Sequence, residues 1–538
     1  MATTTDESGY VFAPGTVTLE DLHRTNDQLV LQPPPTSDPN DPLNWSKWRK
    51  VLNFGLVSYY VLWTFVQLDI GFTAWGPLIE QFNFSIDTLN AGAAVNYGGL
   101  AVGCIFFIPL VHKYGRRPLY IFSVAVQFAS CIWQAEINNA GTFLGANILS
   151  GLGGAISETV VQITIADIFF VHQHATMNGW YLVFTATGAF LGPVASGYVV
   201  DSMGWRWMWW WCVIFLGINL VAVLFFFEES KYIPTMLGQR ATVTQGARRA
   251  SLEGEEPTKQ DTVKGAEAGT MERALSHIDQ SIPMKNHRQR LALVTKSEGP
   301  ISQHFWQPVV VLFTFPAVTY TALTYGLILA TFAIMTSVQA TYLILPPYNF
   351  GADGVGLMNL PPFIGSIFGF FVGGWLNDWS VLWLAKRNKG IFEPEMRLWL
   401  ALPAALLIPA GILMFGLGLA NGVHWILLAV GYGVWGFGFV VATDISLAYC
   451  TDCYQDIVGD ALVGVIFCRN IFSVVILFVL TPWVEGMGIQ NLHVLTACII
   501  FLVLLLPLPL LKWGKLARIK TAERYKLMAM KQPTSRTF

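Results

Sequence analysis

Charge is the scarcest property of this 538-residue chain. Only 12% of its residues are Asp, Glu, Lys or Arg, against 54% hydrophobic, where a soluble protein carries roughly 25% charged residues. The net charge of -2 supplies no basic domain, and no nucleic-acid motif is present, so nucleic-acid binding is excluded. No Gly-x-x-x-x-Gly-Lys-[Ser/Thr] loop cradles a phosphate, which argues against ATP drive. No nucleophile–base constellation points to an enzyme, and no cofactor signature is present. The seven cysteines, Cys104, Cys131, Cys212, Cys450, Cys453, Cys468 and Cys498, fall in apolar runs or on the predicted inner side and form no disulfide framework. Cys450 and Cys453 make a lone C-x-x-C without a second pair or His partners, so no metal is assigned. A cleavable signal peptide is also lacking. Residues 1–50 are polar, acidic and proline-rich, as in Gln32-Pro33-Pro34-Pro35, and no short apolar core follows a basic start.

What the chain has is long apolar runs. Twelve fall near 52–75, 91–111, 118–137, 142–169, 176–199, 206–227, 309–340, 354–376, 398–419, 424–449, 460–481 and 489–511. About 20 residues at helical rise match the hydrocarbon thickness of a bilayer. The fold class is therefore an all-α membrane protein, with twelve transmembrane helices in two six-helix halves. The 49 glycines suit close helix packing, and many of the 20 tryptophans lie near span ends, where indole prefers the interface.

Lys and Arg set the orientation. With the amino terminus inside, the inner segments carry Lys47, Arg49 and Lys50, then Lys113, Arg116 and Arg117, then Lys386, Arg387 and Lys389, then the basic tail. The outer loops hold only Arg206. Both termini are predicted cytosolic. The expected organisation is a disordered tail over 1–50, a six-helix half over 51–228, a disordered cytosolic loop over 229–303, a second half over 304–513 and a cytosolic tail over 514–538. The central loop cannot bury enough apolar surface to fold. Its Arg248-Arg249-Ala250-Ser251 suits a basophilic kinase, although a plain solvated tether is the simpler reading. Asn83-Phe84-Ser85 is a glycosylation sequon on the first outer loop, while Asn44-Trp45-Ser46 lies inside and should go unused.

Several motifs add detail. The loop between spans two and three reads His112-Lys113-Tyr114-Gly115-Arg116-Arg117-Pro118. Span five carries Gly188, Gly192-Pro193 and Gly197, a small-residue face with a helix-breaking proline. Ala166-Asp167-Ile168-Phe169 ends span four, and Cys450-Thr451-Asp452-Cys453 ends span ten in the corresponding place. Asp41-Pro42-Leu43-Asn44-Trp45 precedes span one, Gly204-Trp205-Arg206-Trp207 opens span six, and Glu228-Glu229-Ser230-Lys231-Tyr232 closes it. Glu393-Pro394-Glu395-Met396-Arg397-Leu398 opens span nine.

Together these stretches resemble the major facilitator superfamily, and within it the fungal drug:proton antiporter-like branch, which includes the group around the yeast polyamine and cation transporter. The loop at 112–118 keeps the Gly-Arg-Arg end of the family's signature, but Ile108 replaces its first Gly and His112 its Asp. The resemblance implies a cytosolic gate in which Gly115, Arg116 and Arg117 act with Asp167, complemented by Asp378 of Gly374-Trp375-Leu376-Asn377-Asp378 in the second half. The span-five face resembles the family's antiporter motif, with Ser196 in place of one Gly.

Ionisable residues inside spans are costly and mark function. Asn147, Gly151, Gly154, Glu158 and Gln162 share one face of span four, as a cavity wall would. Removing a carboxylate from water favours its protonated form, so Glu158 is the expected proton-exchanging or cargo-binding group. Arg469 on span eleven and Asp444 on span ten lie at similar depth, which predicts an ion pair, with direct contact to substrate or coupling proton as the alternative. Asp69 lies about 27 Å along span one, suggesting an outer vestibule. Asn96, Tyr320, Tyr325, Trp435 and Asn470 are expected pocket walls. The expectation is a monomeric, proton-coupled carrier of a small organic solute, exporting it by antiport. Its partners are solute, protons and the lipid bilayer, and its location is the plasma membrane, with vacuolar or peroxisomal membranes open. Uptake of a cation or polyamine, and a non-transporting sensor, remain alternatives.

Overall fold

The computed structural model describes residues 13–18, 38–232, 283–296, 303–388 and 390–529. The kinase-like sequence at 248–251 lies outside them. Eleven helical segments among the described residues are long and apolar enough to cross a membrane. The last, Gln455–Ala529, is 75 residues long. Gly488, with φ 78° and ψ 160°, breaks it into spans eleven and twelve. The remaining spans are Lys47–Phe82, Ile86–Tyr114, Arg117–Ala135, Ala140–Ile168, Thr176–Met203, Trp205–Phe226, Pro316–Tyr342, Ala352–Arg387, Pro394–Ala420 and Trp425–Cys453. The all-α, two-half architecture expected from the apolar runs is the one observed.

Helix ends follow local chemistry. Asn139 caps span four reciprocally with Thr142, and Ser85 accepts from the Thr88 amide at the start of span two. Interiors follow packing. A Cβ at Gly151 would overlap the Asn96 carbonyl oxygen, so spans two and four meet backbone to backbone. Span five is interrupted by a π-helical turn at Thr187–Leu191, immediately before Gly192-Pro193. Pro193 thus takes an early position of the following helix, where its missing N–H costs little.

One face of the molecule gathers the Lys- and Arg-rich loops and is called the basic face. At the other face the two halves are held together tightly. Asp201 accepts from the Asp353 amide at 3.0 Å, and Asn90 accepts from Ser337 at 2.5 Å while donating to Thr481 at 3.0 Å. A Cβ at Gly197 would overlap the Ala352 carbonyl oxygen, and one at Gly356 would lie 2.5 Å from that of Pro193. Spans five and eight are sealed there by glycine contacts.

Disorder was expected for 1–50 and 229–303, but the described parts of both have defined places. Asp41 caps the short turn Pro42–Asn44, and Lys50 donates to the Leu43 carbonyl at 3.0 Å. The 283–296 segment joins the basic face: the Thr295 amide donates to Tyr114 O at 2.9 Å, and Arg117 donates to Leu291 O. Backbone donors and acceptors on neighbouring helix ends give these polar stretches something to bond.

Candidate functional site

A cavity of about 180 Å³ lies between the halves. Its walls come from spans one to six on one side and seven, eight, ten and eleven on the other. It reaches Leu447 and Leu462 towards the basic face, and Trp75, Gln134 and Phe143 within the N-terminal half. Glu158, Gln162, Asp69, Asp444 and Arg469 all line it.

At its centre the halves clasp one another. Arg469 of span eleven makes an ion pair with Glu158 of span four, with the two side chains 8% and 4% exposed. Asn470 donates to the other Glu158 oxygen at 3.0 Å. Arg469 also donates to the Tyr325 hydroxyl at 2.8 Å, with its guanidinium carbon 4.9 Å from that ring's centroid. Both oxygens of the first half's acid are therefore occupied by neighbouring residues of the second half.

This corrects the expected Arg469–Asp444 pair. Depth along a helix fixes height but not direction around the axis, and Asp444 instead packs against Gly373 of span eight, where a Cβ would lie 3.1 Å from its Oδ2. Asp69 is corrected as well. Span one runs on through the 3-10 turn Ile70–Ala74 to Phe82, so Asp69 lies about 20 Å of helical rise short of its far end. It is 7% exposed and shares the cavity with Glu158. Among the described residues, neither Asp69 nor Asp444 has a hydrogen bond or ion pair. The cavity wall carries three carboxylates and one base. Asn96 and Tyr325 are wall residues as expected, whereas Tyr320, Trp435 and Asn470 are not. Trp435 is buried and donates to Thr331 at 2.9 Å, and Tyr320 packs on Tyr449.

On the basic face, Arg116 lies 2.9 Å from Asp167, and Arg117 donates to the Phe227 and Leu224 carbonyls that end span six. Asp378 accepts from Arg397 at 2.7 Å, and Arg397 also pairs with Asp452. These pairs stay within their own halves. Asp167 and Asp452, matched in sequence, thus each hold an arginine at the end of an equivalent span. Arg397 is the second-half partner.

Glu229 and Lys231 were not singled out as site residues. The Glu229 carboxylate accepts from the Arg116 and Arg117 amides at 2.9 and 3.1 Å, where span three begins. Gly115, with φ 109°, makes room for it, because a Cβ there would overlap that carboxylate. Lys231 donates to the His112 and Lys113 carbonyls at 2.8 and 2.9 Å, where span two ends, and to Thr295 O at 2.8 Å. An anion at one helix start and a cation at the neighbouring helix end both suit the helix dipoles. Burial pushes Glu229 up, and the amides of Arg116, Lys231 and Arg117 hold it back. Burial and the nearby Arg116 charge pull Lys231 down to about 8, against Glu229 and Asp167. The sequence signal was the acidic–basic run 228–231 directly after an apolar span.

Gly188 and Gly192 of the span-five motif pack against Leu62 and Val66 of span one, and Gly197 against span eight. The motif face thus serves both helix contact within a half and the seal between halves. Asn83 is exposed at a helix end in left-handed conformation, with φ 53°. Among the described residues no cluster of three or more His, Cys, Asp or Glu side chains could hold a metal ion.

The family model of the Major Facilitator Superfamily matches residues 52–475. Protein HOL1 of Saccharomyces cerevisiae is 30% identical over 544 residues, covering 94% of this chain and 92% of that protein. A citrinin biosynthesis cluster MFS transporter of Monascus ruber is 24% identical over 499 residues, covering 91% of each. A POT family transporter solved in complex with 5-aminolevulinic acid superposes with a TM-score of 0.57 at 11% identity, over 88% of this chain and 98% of that one. That likeness concerns the fold alone.

Proposed function

The chain belongs to the Major Facilitator Superfamily, and from that premise we propose that it is a proton-coupled secondary transporter of a small organic cation. The carrying observation is the imbalance on the cavity wall. Three acids face one base, and Asp69 and Asp444 have no partner among the described residues. An unpaired carboxylate away from water calls for a proton or a cation. Phe72, Trp75, Phe332, Phe370 and Phe439 offer an apolar body its walls and a cationic group its π-faces. Glu158 is the coupling acid: proton or cargo reaches it by displacing Arg469.

The basic face is assigned to the cytosol, following its excess of Lys and Arg. Export in exchange for protons, at the plasma membrane, is the direction that the span-five motif favours. Arg116, Arg117, Asp167, Asp378 and Arg397 stiffen the cytosolic ends of each half and form the gate as the halves rock.

The test uses the purified chain in proteoliposomes, with ethidium as cationic probe and pyranine reporting protons. A pH jump should drive ethidium counter to protons, and Glu158→Gln, Asp69→Asn and Asp444→Asn should each cut that exchange at least about tenfold, the cost of one 1.4 kcal/mol interaction. Exchange that persists unchanged in all three variants would sink the assignment.

A further inference from the structure

The N-terminal segment 13–18 precedes the first half in sequence, yet among the described residues it docks on the second. Val17–Thr18 pairs antiparallel with Ile391–Phe392, between spans eight and nine. Arg518, 1% exposed on the helix that follows span twelve, donates to the Pro14 carbonyl and to the Thr16 hydroxyl at 3.2 Å. The same guanidinium pairs with Glu395 at the start of span nine, with its Nε 2.8 Å from Oε1. Gly15 has φ 83°, and a Cβ there would overlap the backbone carbonyl oxygen of Asp452 while lying 3.1 Å from Pro394. Ala13 is buried.

These contacts converge on one structure. Asp452, whose backbone meets Gly15, is the residue whose side chain pairs with Arg397. Arg397 in turn reaches Asp378 on span eight. One short segment therefore touches the loop after span eight, the start of span nine, the end of span ten and the tail helix.

The next described residues, from Asp38 on, belong to the first half: Asp38 accepts from Tyr232 at 3.1 Å. The 19 residues between Thr18 and Asp38 could reach about 65 Å if fully extended. Their length does not force the two anchor points together, so the segment's influence is exerted where it docks.

We propose that residues 13–18 are a positioning element of the second half, a brace that fixes the Asp378–Arg397–Asp452 cluster at the basic-face rim of the cavity. The brace rides with the second half as a rigid part of it. Undocked, the rim at 391–398 and 450–457 opens more often, and the cavity mouth at Leu462 becomes easier to reach. The inference rests on this docking and holds whichever solute the cavity takes.

Hydrogen–deuterium exchange in nanodiscs tests it without any cargo. Gly15→Val in the full chain, and deletion of residues 1–18, should each raise exchange at 391–398 and 450–457 on the order of tenfold, as for loss of a few hydrogen bonds. Alkylation of Leu462→Cys should quicken in parallel. In the Gly15→Val chain, a disulfide between Thr18→Cys and Ile391→Cys, identified by mass spectrometry, should return both readouts to the parent value. Unchanged exchange in either undocked form refutes the brace. So does an increase shared equally by the first half, which would mean general destabilisation, or a cross-link that leaves exchange high.

Discussion

Replacing Arg469 by methionine removes the base from the cavity wall and leaves Glu158 facing Asn470 alone. Breaking a buried ion pair by deleting one partner costs about 3–5 kcal/mol, because the survivor stays charged and dry. Glu158→Gln/Arg469→Met has no charge left to strand, so it should recover most of that loss. Thermal unfolding in nanodiscs at pH 7 measures both variants against the parent. A double variant as unstable as Arg469→Met, or an Arg469→Met as stable as the parent, would refute a buried Glu158–Arg469 pair as the link between the halves.

Two further outcomes follow from the faces. Gly197→Val places a branched side chain where the Ala352 carbonyl already sits, so the seal opposite the basic face should fail to close. A cavity cysteine at Ala93 should then react with an impermeant thiol reagent added on that side, and unchanged labelling would count against the seal. Lys231, drawn down to about 8 by burial, is charged below that pH and loses its charge above it. Its hold on His112, Lys113 and Thr295 should weaken between pH 7 and 9, exposing 285–296 to protease. Lys231→Arg stays charged and should resist that change; equal opening in both proteins contradicts the clamp.

The spans were readable because a bilayer demands long apolar helices, and nothing else in the chain competes with that signal. The charged positions inside them were readable for the same reason. Direction around a helix was not. Arg469 and Asp444 share a depth, but the guanidinium points to span four and the carboxylate to span eight. Asp69 was misplaced because the turn Ile70–Ala74 continues span one beyond its most apolar stretch. The polar segments 13–18 and 283–296 had too little apolar surface to suggest order. They bond instead to helix ends and loop backbone of the folded core, which composition does not reveal. Arg397 and Arg518 stood in plain view, but their partners lie 55 and 123 residues away.

The clasp at the centre and the seal at one face constrain each other. With spans five and eight locked through Gly197 and Gly356, rocking the halves must move span four against span eleven, where Glu158 and Arg469 meet. Neither charge tolerates isolation there. Under the proposed function, a cation arriving at Glu158 supplies one replacement partner. The Arg469 it releases faces the same cavity as Asp444, a carboxylate of its own half with no partner among the described residues. Three acids against one base therefore allow the arginine to change partner when a cation enters, without leaving either charge bare. A wall with equal numbers of acids and bases could pair internally and would have no such use for a cation.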